Sequence, residues 1–315
     1  MSLPLVTVVV PIFNQSRFVV ETLDSLVHQS HTNLQIIVVD DGSSDSGAEI
    51  VLAKFGEKIE LIRQKNLGPS SAINAGLRSA RGDFIALNGG DDVSLSNRIA
   101  LQLEIISATQ HDIIFSKPLL INGDGQSIAD KEFPVFFKDR KGSILQDLLL
   151  EGNFLCASSA MMHRDVIRKV GLFNAALIQL QDYEYWLRAA ATGLSLAEIE
   201  PRIVKYRRHK TNLSGHDNGF ASSAESLMIV KSILASTSPR AIRIAFPYIF
   251  EPTTDLDSPL TQLDRSIFLL AHPTKEIRMA GVEYAASLFT DQEFAKKAER
   301  VGFDVFKYSF NSSKS

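Results

Sequence analysis

The chain has 315 residues, 45% of them apolar and 22% charged, and a formal net charge of −3. That length allows one large domain or one domain with an appendage, and the charge gives no reason to expect nucleic acid or an anionic membrane as the main partner. Cys156 is the only cysteine, which excludes an internal disulfide and fits a reducing cytoplasm, and no apolar run approaches the roughly 18 to 20 residues that span a bilayer.

The first apolar run, Val6 to Ile12, is β-branched and reads as a strand stopped by Pro11 and Asn14. It is too short for a signal peptide, so a soluble cytoplasmic protein is expected. Ser16 can cap a helix carrying Val19, Val20, Leu23, Leu26 and Val27 on one face. Ile36 to Val39 read as a strand buried on both faces, as in a parallel sheet. The run ends abruptly in Asp40-Asp41-Gly42-Ser43-Ser44, a turn at the strand's carboxyl end. Ala48 to Phe55 is a short helix closed by Gly56, and Ile59 to Arg63 a third strand. Asn66-Leu67-Gly68-Pro69 opens a helix that Gly82 has broken. Phe84 to Leu87 is a fourth strand, ending in Asn88-Gly89-Gly90-Asp91-Asp92. Ser96 can cap the helix that follows.

To this point strands and helices alternate with short loops, which predicts an α/β architecture: a doubly wound, mostly parallel sheet with right-handed crossovers. Ligands of such sheets bind beyond the carboxyl ends of the strands, where both acid pairs lie. The pattern then loosens. Asp112 to Ser116 and Leu119 to Asn122 look like strands, with Asn122-Gly123-Asp124-Gly125 as a hairpin turn. Ser143 to Leu150 reads as a helix, Phe154 to Met162 as a buried strand and Leu180 to Thr192 as a helix. Ser195 to Tyr206 reads as one strand leading into Arg207-Arg208-His209-Lys210. From about Gly219 the chain looks helical, over 221–235, 239–250, 259–270, 276–289 and 291–301, with a frayed tail at 311–315.

Several clusters have the chemistry of a site. Asp40 and Asp41 could accept hydrogen bonds from a nucleobase or ribose, with Pro11 to Asn14 as the neighbouring wall; the competing explanation is an Asx turn or a helix cap. Asp91 and Asp92 could hold Mg²⁺ or Mn²⁺ on a diphosphate, and Gly89 and Gly90 would let a ligand approach the backbone. The plain alternative is a glycine-rich turn. Asp182, at a helix start, is either a carboxylate stabilised by the helix dipole or a general base. Glu184 and Arg188, four apart, are expected to pair on the surface. His209 could ligate a metal or contact phosphate, or simply be solvated. Walker, Gly-x-Gly-x-x-Gly, Gly-x-Ser-x-Gly and paired-cysteine patterns are absent.

Together these residues resemble the family 2 glycosyltransferases. Val6-Thr-Val-Val-Val-Pro-Ile-Phe-Asn14 resembles the family's first strand and turn, and Ile37-Val-Val-Asp-Asp-Gly-Ser-Ser-Asp45 its nucleotide-binding strand end. Asn66-Leu-Gly68, Ala72-Ile-Asn74-Ala-Gly76 and Ala80-Arg-Gly-Asp-Phe-Ile85 resemble the segment leading to its metal site. Asn88-Gly-Gly-Asp-Asp92 stands at the Asp-x-Asp element, Gln181-Asp182 at the start of the helix that supplies the base, and Tyr206-Arg-Arg-His209 at the closing Tyr-Arg-x-His. The likeness covers residues 4–215. Two positions depart from it: Asn88 or Gly89 replaces the first acid of Asp-x-Asp, and Gln181 a glutamate.

The resemblance implies a GT-A fold, a Rossmann-like doubly wound mixed sheet over 1–218, with a C-terminal helical region over 219–315. It implies an inverting transferase that moves a sugar from a nucleotide-diphosphate donor, UDP-sugar favoured, to a saccharide or lipid-linked hydroxyl in polysaccharide or glycoconjugate synthesis. The nucleotide site would comprise Pro11, Phe13, Asn14, Asp40, Asp41, Asn66, Asn74 and Asn88. Asp91, Asp92 and His209 would hold Mn²⁺ or Mg²⁺, and Asp182 would be the base. The alternatives are a non-catalytic sugar-nucleotide or carbohydrate-binding protein and a sugar nucleotidyltransferase, whose glycine-rich lysine loop is missing. The helical region is expected to pack or dimerise. The other roles open to it are shaping the acceptor site and peripheral contact with the membrane surface near a lipid-linked acceptor; no segment there has the strong basic amphipathic character that would support the latter.

Overall fold

The computed structural model describes residues 3–140, 142–213, 219–250, 254–285 and, beyond these, Leu288, Phe294, Lys296, Lys297 and Glu299. They fall into two compact units: 1–139 with 153–218, and 140–152 with 219–315.

The first unit opens with β1 (Val6–Ile12), α1 (Val19–Val27), β2 (Leu34–Asp40), α2 (Gly47–Phe55), β3 (Glu60–Arg63), α3 (Pro69–Ser79) and β4 (Phe84–Leu87). β1 pairs in parallel with β2 on one side and β4 on the other. The β-branched run of β2 serves both faces of the sheet: Ile36 and Val38 join the main core, while Ile37 and Val39 pack with Ala72 on the opposite side. This is the period-2 alternation of a strand buried on both faces. Gly76 brings α3 close to the sheet, since a Cβ there would stand 2.4 Å from Val9 Cγ1.

The rest of the unit comprises β5 (Val93–Ser94), α4 (Arg98–Thr109), β6 (Ile113–Ser116), β7 (Leu119–Asn122), β8 (Met161–His163), α6 (Asp165–Val170), α7 (Gln181–Ala191), β9 (Leu196–Ile199) and β10 (Val204–Arg208), with α5 (Ile144–Glu151) lying in the second unit. The main sheet runs β3-β2-β1-β4-β8-β6-β9, and β8 is antiparallel to both its neighbours. It is thus a mixed sheet. Two sequence expectations change. The stretch 154–162 forms a strand only at its end, after a 3-10 turn at Ala157–Ser159. The single strand expected over 195–206 is two strands in different sheets. Pro201 interrupts it, lacking the N–H a ladder needs, and β10 leaves to pair with β5 and β7.

The topology positions the site. Strand order reverses at β1, with β2 and β3 to one side and β4 to the other. β4 pairs with β1 only from Val6 to Val9, and from there the turn after β4 passes the end of β1, with Gly90 beside Pro11 and Ile12. Pro11 is tolerated there. This strand order makes the carboxyl ends of β1 and β4 the topological switch point of an α/β sheet, the place where such sheets bind ligands.

The second unit contains α5, α8 (Gly219–Ser236), α9 (Pro239–Ala245), α10 (Gln262–Leu270) and α11 (Lys275–Ala285). α5 is capped by Ser143, which accepts from Gln146 N, and His272 Nε2 meets Leu149 O at 2.6 Å. Ile267, Leu270, Ala285 and Phe294 form a core, and a Thr261–Asp264 capping box starts α10. α9 stops at Ala245 instead of continuing to 250, because Phe246 precedes Pro247 and is turned out of the helical region. The expected helix at 291–301 lies mostly outside the described residues, and the tail at 311–315 wholly so. Among the described residues no helix is long and apolar enough to cross a membrane.

Candidate active site

The turn after β2 is held by its own acids. Asp40 is 1% exposed; Oδ1 accepts from Ser43 N at 3.0 Å and Oδ2 from Arg63 Nε at 3.2 Å. Asp41 Oδ1 accepts from Gln64 Nε2 at 2.7 Å and Leu67 N at 2.9 Å, and its Oδ2 from Gly68 N at 2.9 Å. Asp41 therefore fixes the loop that opens α3. Asn14 takes a positive φ of 53°, and its Oδ1 accepts from Ser44 N at 2.8 Å. Ser16, expected as a helix cap, instead donates its N–H to Asp45 Oδ2 at 2.9 Å. These bonds lace the turns after β1 and β2 together, leaving Phe13 46% exposed beside them.

Of the other expected nucleotide contacts, Asn66 stays beside this turn, its backbone N 2.6 Å from where a Cβ on Gly42 would stand, while Asn74 and Asn88 face inward. Asn66 is exposed. Asn74 is buried and bonded both ways to the Phe173 backbone, at 2.8 and 2.9 Å. Asn88 is also buried. Its Oδ1 accepts from Arg98 Nη1 at 2.8 Å and Ser94 Oγ at 2.9 Å, while its amide donates to Gly89 O at 2.7 Å. Arg98, fully buried, also binds Leu87 O, Ser94, Gln102 and Ala160 O. Burial pushes its pKa down to about 10, which leaves it charged at neutral pH.

The turn after β4 is arranged differently. β5 follows it at once and pairs antiparallel with β10, bringing residues 207–212 over the acids. Asp91 Oδ2 lies 2.8 Å from His209 Nε2 across 118 positions of sequence, with Asn212 Nδ2 at 3.3 Å. Asp92 Oδ1 accepts from Arg207 N at 2.8 Å, and Ser158 bonds the same side chain. Burial first, and then the adjacent Asp91 carboxylate, hold the Asp92 pKa well above the ordinary carboxylate range. Arg207 donates to Asp91 O at 2.8 Å and reaches Glu21 Oε2. His209 stacks on Phe18 with centroids 4.6 Å apart, and its Nδ1 meets Thr211 Oγ1 at 2.9 Å.

The glycines of this turn do not open it to a ligand as the sequence suggested. A Cβ on Gly89 would stand 2.9 Å from Asp91 Oδ1 and 3.0 Å from Asp92 Oδ2, and one on Gly90 2.1 Å from Gln15 Oε1. The protein's own atoms fill that space.

Asp182 is the second residue of α7 and is half-buried. Oδ2 accepts from Asn153 Nδ2 at 2.7 Å and Oδ1 from Tyr183 N at 2.8 Å. Burial outweighs these bonds and pushes its pKa up to about 6. It is thus ionised at neutral pH yet ready to take a proton, as a general base must be. The Glu184–Arg188 pair forms, but less exposed than expected: Arg188 also binds Val170 O and Leu172 O, tying α7 to the preceding turn.

Residues 153–158 link the acids to Asp182. Asn153 holds Asp182, and Ser158 Oγ accepts from Gly89 N at 2.9 Å. Five residues span at most about 18 Å of backbone. Asn153, Ser158 and Asn212 are the polar partners that sequence reading missed; their roles depend on contacts 29, 69 and 121 positions away.

Among the described residues no three His, Cys, Asp or Glu side chains form a ready-made ion cage. Asp91 and His209 nevertheless put a carboxylate oxygen and an imidazole nitrogen side by side. That donor pair suits an ion taking one or two protein ligands and completing its shell with substrate phosphate and water.

A family model described as Glycosyl transferase family 2 matches residues 7–171. An uncharacterized glycosyltransferase of Rickettsia felis is 31% identical over 216 residues, 65% of this chain and 34% of that protein. The chain thus spans about a third of the length of the first curated relatives it matches. Among solved structures, S. aureus TarS residues 1–349 in complex with UDP-GlcNAc superposes with a TM-score of 0.62 at 16% identity, covering 95% of this chain and 92% of that one. The mannosyltransferase PcManGT of Pyrobaculum calidifontis, in complex with GDP-Man and Mn2+, gives 0.59 at 14% identity, over 96% and 85% of the two chains. These likenesses show the GT-A fold.

Proposed function

The chain belongs to glycosyl transferase family 2, and from that premise we propose that it moves a sugar from a nucleotide-diphosphate donor to an acceptor hydroxyl with inversion at the anomeric carbon. The observation that carries the proposal is the Asp91–His209 pair, assembled from distant parts of the chain at the switch-point edge of the sheet. In our reading the nucleoside lies against Pro11, Phe13 and Asn14, with Asp40 and Asp41 framing the pocket through the loops they hold. A UDP-sugar is the favoured donor, supported by the UDP-GlcNAc complex of the similar TarS.

Asp91 and His209, with Asp92 behind them, would hold a divalent cation, which when bound supplies positive charge to a departing diphosphate. The protein's remaining work is proton transfer and orientation. The Asp182 carboxylate takes the proton of the acceptor O–H. The oxygen's electron pair forms the new bond to the anomeric carbon, and the bond to the diphosphate breaks on the opposite face with its electrons leaving on the nucleotide. The acceptor is a saccharide or lipid-linked hydroxyl in cell-surface glycan synthesis.

Calorimetry with UDP, with and without Mn²⁺, tests the carrying observation. Mn²⁺ is expected to tighten UDP binding at least tenfold in the parent and to do nothing for Asp91→Ala. Equal metal enhancement in both would remove Asp91 from the site. Repeating the titration with GDP tests the choice of base.

A further inference from the structure

We propose that Asn153 is a positioning residue for the base, its side-chain amide holding Asp182 Oδ2 so that the free lone-pair site of the carboxylate faces the acceptor. The inference rests on the reading of Asp182 as the base.

The orientation of the Asn153 amide is settled by its second contact. Oδ1 accepts from Leu155 N at 3.1 Å, so Nδ2 is the atom turned to Asp182, 2.7 Å away. The reverse orientation would set two acceptors against each other and leave the Leu155 N–H without its acceptor. Tyr183 N holds the other carboxylate oxygen at 2.8 Å. The backbone N–H of Asp182 itself bonds the carboxylate as well. These three donors fix the carboxylate plane, and of about four lone-pair sites one is left for a further donor. An acceptor hydroxyl supplies such a donor.

The backbone supports this position. Gly152 ends α5 with a φ of +81°, a conformation glycine adopts without strain. Asn153 is the next residue and stands outside the helix. The chain then runs directly to Ser158, which bonds Gly89 N and the Asp92 side chain. One short segment therefore orients the base at one end and braces the acid turn at the other.

Asn153→Asp isolates the contact. It keeps the shape and the acceptor for Leu155 N, and replaces only the donor facing Asp182 with an acceptor. Aspartate carboxyl carbons labelled with ¹³C can be titrated by NMR, the Asp182 signal being the one absent in Asp182→Asn. Loss of a hydrogen bond to the charged form raises a carboxyl pKa, and an adjacent carboxylate raises it further. The Asp182 midpoint is expected to rise by about one unit in Asn153→Ala and by more in Asn153→Asp, with UDP affinity unchanged in both. Metal-dependent UDP release from UDP-GlcNAc, with water as acceptor, should shift its acid limb by the same amounts. If the Ala variant does not fold, the isosteric Asp variant carries the test. Unmoved midpoints overturn the inference and leave Asp182 as base untouched. Undiminished UDP release in Asp182→Asn would overturn the base reading and this inference with it.

Discussion

After β2 the chain runs Asp40-Asp41-Gly42-Ser43; after β4 it runs Asn88-Gly89-Gly90-Asp91-Asp92. Both turns sit on the same edge of one sheet, and both carry paired carboxylates, the first at its start and the second at its end. In the first, Asp41 answers three N–H donors of the loop before α3, and Asp40 answers Ser43 and Arg63. In the second, Asp91 faces an imidazole, and Asp92 is buried beside Asp91 and pushed toward its neutral form. A carboxylate whose oxygens are met by backbone N–H groups acts as a brace. A carboxylate held close to another and to a histidine has the donor chemistry of a site, and in the function proposed above that pair takes the cation. Asp182 lies between these cases, with hydrogen-bond donors on both oxygens and a raised pKa.

The largest expected effect breaks the comparison at its functional end. Asp182→Asn should lower transfer by about 10²- to 10⁴-fold, the usual contribution of a general base, while UDP affinity by calorimetry stays near that of the parent. Normal turnover would end the assignment. Next comes stability. Asp41→Ala strands three N–H donors and should cost about 3 kcal/mol in denaturant unfolding, whereas Asp91→Ala should stay within about 1 kcal/mol of the parent because it relieves a like-charge contact. Comparable losses in both would erase the distinction. Asn88→Asp would restore an acid to the Asp-x-Asp position, but its amide now donates to Gly89 O. The substitution turns an acceptor onto that carbonyl, and a loss of about 1 to 3 kcal/mol is expected.

A further effect is read in pH. The folded pKa of Asp182 is raised to about 6, above its unfolded value of about 3.9. The native state therefore holds this proton more tightly, and its contribution to stability falls as pH rises between those two values. Transfer should lose its base as pH falls through about 6. Asp182→Asn should melt higher than the parent at pH 7 and equally below about pH 4, where both side chains are neutral. A difference that persists in acid would point to a packing effect.

Much of this was legible from residue order. The continuous β-branched runs of β1 and β2 gave the buried parallel strands, and the acids after β2 and β4 lay on the edge where α/β sheets bind ligands. The division of labour between those acids was not legible, because it depends on partners such as Gln64, Gly68, His209 and Asn212. Nor was the inward turn of Asn74 and Asn88, each fixed by a backbone or arginine brought near only by folding. Pro201 was visible, but that it sends one apparent strand into two sheets follows from where β5 offers an edge to β10.

The excursion of residues 140–152 has a consequence for modularity. Leu145, Leu148 and Leu149 on α5 are buried in the second unit, so the chain crosses from one unit to the other three times, near residues 139, 152 and 218. An exchange of C-terminal units between relatives made by a single splice after 218 would separate α5 from the helices it evolved against. A transplant that keeps this surface matched must carry both pieces, and the first of them ends one residue before Asn153.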